Sequence, residues 1–122
     1  MTKLPVTAIV YLLLINPAPA ARLHKEAEYS DVWCQGQTEV TNSDGTRVDC
    51  LTDRYAVEID FANKWPEGIG QALHYSLQTG RAPAVALIIE HSRDWRHYRR
   101  AKTAANKAGV TLWPIRADLT FP

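Results

Sequence analysis

The heptapeptide Tyr55–Phe61, YAVEIDF, most constrains what this chain can fold into. Apolar Val57, Ile59 and Phe61 alternate with Ala56, Glu58 and Asp60, the period of a β-strand covered on both faces. The same period puts Glu58 and Asp60 on one face, two residues apart. Like charges held that close raise one another's pKa values or recruit a cation. The fold must therefore cover this strand on both sides and still bring compensation to two acids.

The strand's neighbours are legible in the flanking sequence. Residues 21–33, ARLHKEAEYSDVW, space their apolar positions like a short helix, ended by Gly36. Residues 38–41, TEVT, read as a brief strand, and Asn42-Ser43-Asp44-Gly45 as the tight turn of a hairpin. Residues 47–52, RVDCLT, pair back, with Val48, Cys50 and Thr52 on one face and Asp49 and Leu51 on the other. After YAVEIDF the period changes from 2 to 3.6. A helix is predicted from Pro66 to Thr79, closed by Gly80, with Ile69, Ala72, Leu73, Ser76 and Leu77 as its apolar stripe. The unbroken apolar run 82–90, APAVALIIE, suits a strand buried on both faces. A second helix, capped by Ser92 or Asp94, runs to Lys107 before Gly109 and buries Trp95, Tyr98, Ala101, Ala105 and Ala108. Residues 110–115, VTLWPI, make a last strand, and the tail RADLTFP carries no signal. The predicted class is α/β, an αβββαβαβ sandwich with a central mixed sheet flanked by helices.

The first twenty residues do not belong to that domain. They carry Lys3, an apolar run over 8–15 and an Ala18-Pro19-Ala20 end, the layout of a secretory signal peptide. The run is too short for the roughly 20 residues that span a bilayer. The reading is a signal peptide over 1–20 and one domain over 21–122, secreted or periplasmic, without stable membrane association after cleavage. Removing 1–20 takes away one lysine and no acid, leaving 13 basic and 13 acidic side chains. Net charge thus gives no support to a polyanionic ligand. The single basic region is 91–109, with Arg96, Arg99 and Arg100 on the outward side of the second helix, able to track a phosphate backbone. Cys34 and Cys50 read first as a disulfide in an oxidising compartment, with two buried thiols as the alternative, since no CxxC or HxxxH spacing accompanies them.

Asp49 stands on the strand next to Glu58, so both can face one point, and Asp60 joins them by period 2. Glu39 on the first strand can close the group. A hard divalent ion, Mg²⁺ or Mn²⁺, accepts such a set of oxygens.

This layout resembles the PD-(D/E)XK nuclease superfamily, the restriction-endonuclease-like fold. That family places an acid on its second strand and a (D/E)-x-K motif on its third, where this chain has Asp49 and Glu58-Ile59-Asp60. Gln71 to Tyr75, QALHY, looks like the QxxxY helix of the exonuclease-type branch. Asp60 stands where the family has its lysine, and Lys64 is the candidate for a relocated one, with Gln71 able to take the same space. The resemblance implies a Mg²⁺-dependent nuclease acting on DNA or RNA. Asp49, Glu58, Asp60 and Glu39 would be metal ligands. Lys64 and Gln71 would be catalytic, and Tyr75 would contact substrate together with the arginines. Two alternatives stand beside it: a binding module of the same fold with a crippled site, and a hydrolase of another class using Glu58 and Asp60 as a carboxylate pair.

Overall fold

The structure is a computed structural model that describes residues 21–122; the signal-peptide reading of 1–20 lies outside the described residues. The chain runs α1 (Glu26–Trp33), β1 (Gln37–Thr41), β2 (Arg47–Leu51), β3 (Tyr55–Phe61), α2 (Trp65–Thr79), β4 (Ala82–Ile89), α3 (Trp95–Ala108), β5 (Thr111–Arg116) and a short α4 (Ala117–Thr120). Single 3₁₀ turns, Ala62–Lys64 and Ser92–Asp94, lead into α2 and α3. The five strands lie in chain order in one open sheet. β1, β2 and β3 are antiparallel, and β3, β4 and β5 are parallel. The α/β class and mixed sheet are as the sequence predicts; α4, in the tail without signal, is an addition.

Three layers follow from the periods. Tyr29 of α1 and Ala117 of α4 pack against Val57, Ile59, Ala84, Ala86, Ile88 and Ile115. On the other face, Ala72 of α2 and Ala101 and Ala105 of α3 cover Val85, Leu87 and Ile89. β4 is thus buried on both faces, and each of its large side chains contributes about 1.5–3 kcal/mol. Both crossover helices stop at a left-handed glycine, Gly80 at φ 71° and Gly109 at φ 72°.

Three sequence expectations need correction. The buried stripe of α2 is Gly68, Ala72 and Tyr75, while Leu73 and Leu77 are exposed. Ala108 is exposed as well, so the apolar seam of α3 ends at Ala105. Val48 packs with Ala56 and Tyr75 rather than sharing a cluster with Cys50, so the alternation of β2 breaks at Asp49.

The cysteines are bridged, Cys34 to Cys50, with Cα atoms 5.7 Å apart. The link ties the C-terminal cap of α1 to the middle of β2. Among the described residues no helix is long and apolar enough to cross a membrane.

Candidate active site

β3 sends Glu58 and Asp60 toward α2, and both are 5% exposed. Room for them exists because α2 presents Gly68 there: a β-carbon on Gly68 would stand 3.9 Å from both Asp60 Cβ and Glu58 Cγ. A large side chain at 68 would push the helix off the acids.

Asp49 reaches the same place through a break in the ladder. β2 and β3 pair at Cys50↔Val57 and Leu51↔Ala56, and the pairing stops there. At the next step the N–H of Ile59 donates to Asp49 Oδ2 at 2.8 Å. The side chain takes a role the backbone carbonyl would otherwise fill, which satisfies Ile59 and fixes the carboxylate beside Glu58. The break extends to β1, where Glu39 adopts φ 55° between the Thr38↔Cys50 and Val40↔Val48 pairs.

Asp49, Glu58 and Glu39 line an open cavity of about 410 Å³; Asp60 and Lys64 are not among its lining residues. Gln71 and Tyr75 of α2 and Glu26 of α1 complete its polar wall with Thr46 and Arg47. Tyr75, whose pKa burial raises, stands beside both Glu58, which raises it further, and Gln71, which lowers it. Glu39 stands at the rim, exposed, 3.5 Å from Arg47. A further carboxyl in the lining is Glu26, whose pKa burial and then Asp60 raise. Sequence reasoning missed it, although it lies one turn before Tyr29, the residue that anchors α1 to the sheet. Glu28 is occupied elsewhere, accepting the Lys25 N–H at 2.7 Å. An apolar cleft of similar volume, lined by Val32, Trp33, Val57, Trp113 and Leu119, carries no titratable group and offers no comparable chemistry.

The electrostatics are those of too many acids for the protein to neutralise. Burial first, then Asp49, pushes Glu58 up to about 10. Burial and then Asp60 raise Glu26 to about 7. Asp60 rises to about 6 by burial, restrained by Lys64. Asp49 is raised by burial, opposed by the Ile59 N–H. Tyr75 is pushed up to about 12 by burial and by Glu58. The Lys64 ammonium acts on both Asp60 and Glu26, with no carboxylate within 4 Å among the described residues.

The acids act on one another in two pairs, Asp49 with Glu58 and Glu26 with Asp60. At neutral pH Glu58 keeps a proton that an ordinary carboxylate would have lost. Glu58 Oε2 is buried and has no partner. Among the described residues no three histidine, cysteine or carboxylate side chains form a ready-made metal cage. What the set offers is an excess of buried, mutually repelling oxygen ligands, a donor chemistry that fits a hard divalent cation.

Arg96, Arg99 and Arg100 do not line this cavity; Arg99 and Arg100 are exposed on α3, and Arg96 borders a separate pocket. Compared with known protein families, curated proteins and solved structures, the chain has no match.

Proposed function

We propose that this chain is a divalent-metal-dependent nuclease on a restriction-endonuclease-like plan, hydrolysing phosphodiester bonds of DNA or RNA outside the cytoplasm. The observation that carries the reading is the convergence of Asp49 and Glu58 from neighbouring strands on one solvent-open cavity, where burial and Asp49 push the Glu58 carboxyl up. The αβββαβαβ order and the break in β2 at Asp49 support the fold assignment. The Cys34–Cys50 bridge supports an oxidising compartment, and with it the signal-peptide reading.

Mg²⁺ or Mn²⁺, when bound, polarises a phosphate oxygen and lowers the pKa of a water. Asp49, Glu58 and Asp60 are the residues to hold it, with Glu26 as a fourth. Asp49 is pre-oriented by Ile59, and Tyr75 stands beside Glu58. Gln71 extends the polar wall on the substrate side. Lys64 supplies the one ammonium near the acids and stabilises charge that develops on the phosphate. A second reading, a binding module of the same fold without cleavage, is favoured by one observation: Asp60 stands where the resemblance calls for a lysine.

Incubating the purified protein with plasmid, linear DNA and RNA, in Mg²⁺, Mn²⁺ or chelator, tests the assignment. Cleavage is expected in metal only and is lost in Asp49→Ala and Glu58→Ala. Cleavage that survives both substitutions sinks the site assignment. Binding without cleavage in either metal selects the module.

A further inference from the structure

A second pocket, of about 240 Å³, opens where β3 and β4 end and α3 begins. Three arginines line it, Arg22, Arg93 and Arg96, together with His91 and His97. Arg22 is held firmly. Its guanidinium lies 3.7 Å from the centre of the Phe61 ring, donates through Nη2 to Asn63 Oδ1 at 2.7 Å, and approaches Glu90 Oε1 at 3.6 Å. The acid among the lining residues is Asp94, and its Oδ2 is committed to the N–H groups of Glu90 and His91 at 2.9 and 3.0 Å. Among the described residues, Arg93 and Arg96 have no carboxylate within 4 Å. His91 Nε2 is buried there with no hydrogen-bond partner. His97 titrates below its ordinary value, first through burial and then through Arg96, which is consistent with a positive field.

Unneutralised arginines gathered around one cavity repel one another unless an anion separates them. The planar guanidinium matches phosphate oxygens in pairs, and the Nε2–H tautomer of His91 adds a buried donor. The positive end of α3 acts in the same direction. The volume lies below the about 300–1,000 Å³ of pockets that swallow a whole small molecule, so it suits a group. Asn63 lines this pocket, and its chain neighbour Lys64 acts on Asp60 and Glu26. A single three-residue turn therefore touches both sites.

We propose that this pocket is a phosphate-binding subsite that holds a phosphate of the nucleic-acid strand whose phosphodiester meets the carboxylates. The identity of the strand rests on the nuclease reading above; the capacity to bind phosphate does not.

The test is a titration with inorganic phosphate in chelator, followed through the ring resonances of His91 and His97 by NMR. Both rings are expected to shift saturably. The Arg93→Gln/Arg96→Gln double variant, altered at two exposed side chains, should bind at least about tenfold more weakly, the loss of one charge-assisted hydrogen bond. Lys107→Gln, a neutralisation elsewhere on α3, should bind as the parent does. The single Arg96→Gln variant decides the matter should the double variant lose its native spectrum. Absence of a saturable shift, or equal affinity in the arginine variants, overturns the subsite.

Oligonucleotides with a 5′-phosphate, a 3′-phosphate or neither are then added in chelator as competitors. Preference for one terminal phosphate identifies a phosphomonoester, and equal competition by all three identifies the backbone; each supports the proposal. No competition by any of them overturns the nucleic-acid assignment of the pocket. Phosphate binding without cleavage leaves the subsite standing and the nuclease reading fallen. Cleavage without phosphate binding does the reverse.

Discussion

Asp49 Oδ2 accepts the backbone N–H of Ile59 at 2.8 Å, so one carboxylate both closes the β2–β3 step and faces the cavity beside Glu58. The two roles separate by substitution. Asp49→Asn keeps an oxygen for the Ile59 N–H and loses the charge. Asp49→Ala leaves a buried donor unpaired, at about 1–3 kcal/mol. Chemical denaturation should therefore show Asp49→Ala less stable than Asp49→Asn by about that amount, while both lose metal-dependent cleavage. Equal stability of the two variants contradicts the structural role.

Glu58→Gln keeps the shape and removes a carboxyl that folding obliges to stay protonated. Because Glu58 is pushed up to about 10 chiefly by burial and by Asp49, ionising it opposes folding. In chelator at pH 8 to 9 the variant should be more stable than the parent by about 1 kcal/mol, or about 4–8 °C in a domain near 100 residues. Cleavage should fall at least about a hundredfold, in the range seen when a catalytic electrostatic group is lost. A stabilised and inactive variant is the signature of a site strained for function. A destabilised one means that Glu58 serves the fold.

The same acids set a pH dependence whose sign follows from their shifts. Glu58 moves from 4.5 to about 10, Glu26 from 4.5 to about 7 and Asp60 from 3.8 to about 6. The folded chain then binds protons that the unfolded chain has released. Their stabilising contribution is complete below about pH 4 and is lost as pH rises through 6 and 7 toward 10. Asp44, held down to about 2 first by Thr46, acts in the opposite sense and only below about pH 4. In chelator, thermal unfolding should fall from pH 5 to pH 9, more steeply for the parent than for Glu58→Gln. Mg²⁺ replaces the protons, so its stabilisation should grow with pH, reaching about 2.7 kcal/mol at 100 times its dissociation constant. A parent protein whose stability climbs across this window in chelator refutes the upward shifts of these carboxyls.

The Cys34–Cys50 bridge joins the elements that carry Glu26 and Asp49. Closing a loop of 16 residues stabilises by about 3 kcal/mol. Reduction, or the Cys34→Ala/Cys50→Ala pair, should lower stability by about that amount and weaken Mg²⁺ binding measured by calorimetry. Unchanged metal affinity after reduction assigns the bridge to folding alone.

What the sequence made legible follows its periods. β3 is read with its bounds because its alternation is unbroken from Tyr55 to Phe61, and β4 because an unbroken apolar run has one interpretation beside a crossover helix. The stripe of α2 departs from the hydrophobic pattern where buried acids lie beneath the helix. The helix crosses buried carboxylates, so its inner side needs a small Gly68 and a hydroxyl-bearing Tyr75, and the leucines at 73 and 77 turn outward. The break in β2 is invisible to any period-2 argument because it rests on one side chain replacing a backbone acceptor. Glu26 was lost for another reason. Its distance from Asp60 along the chain hides their meeting, and the available hint was an acid on the Tyr29, Ser30, Trp33 side of α1.

Glu26 therefore makes the sharpest separate test. If it belongs to the site, Glu26→Ala removes a carboxyl raised to about 7 and with it a side chain that, after Lys64, holds the Asp60 pKa down. Asp60 should then ionise at higher pH, and the acid limb of the cleavage profile should move up with it. Mg²⁺ affinity should fall by about 10–100-fold, the range seen on losing a supporting partner in a metal site. Glu28→Gln, on the same first turn but bonded to the Lys25 N–H, should leave both readings where they are. If the two variants behave alike in metal affinity and in pH profile, Glu26 is a helix-terminal acid, and the site contains only the three carboxylates of the sheet.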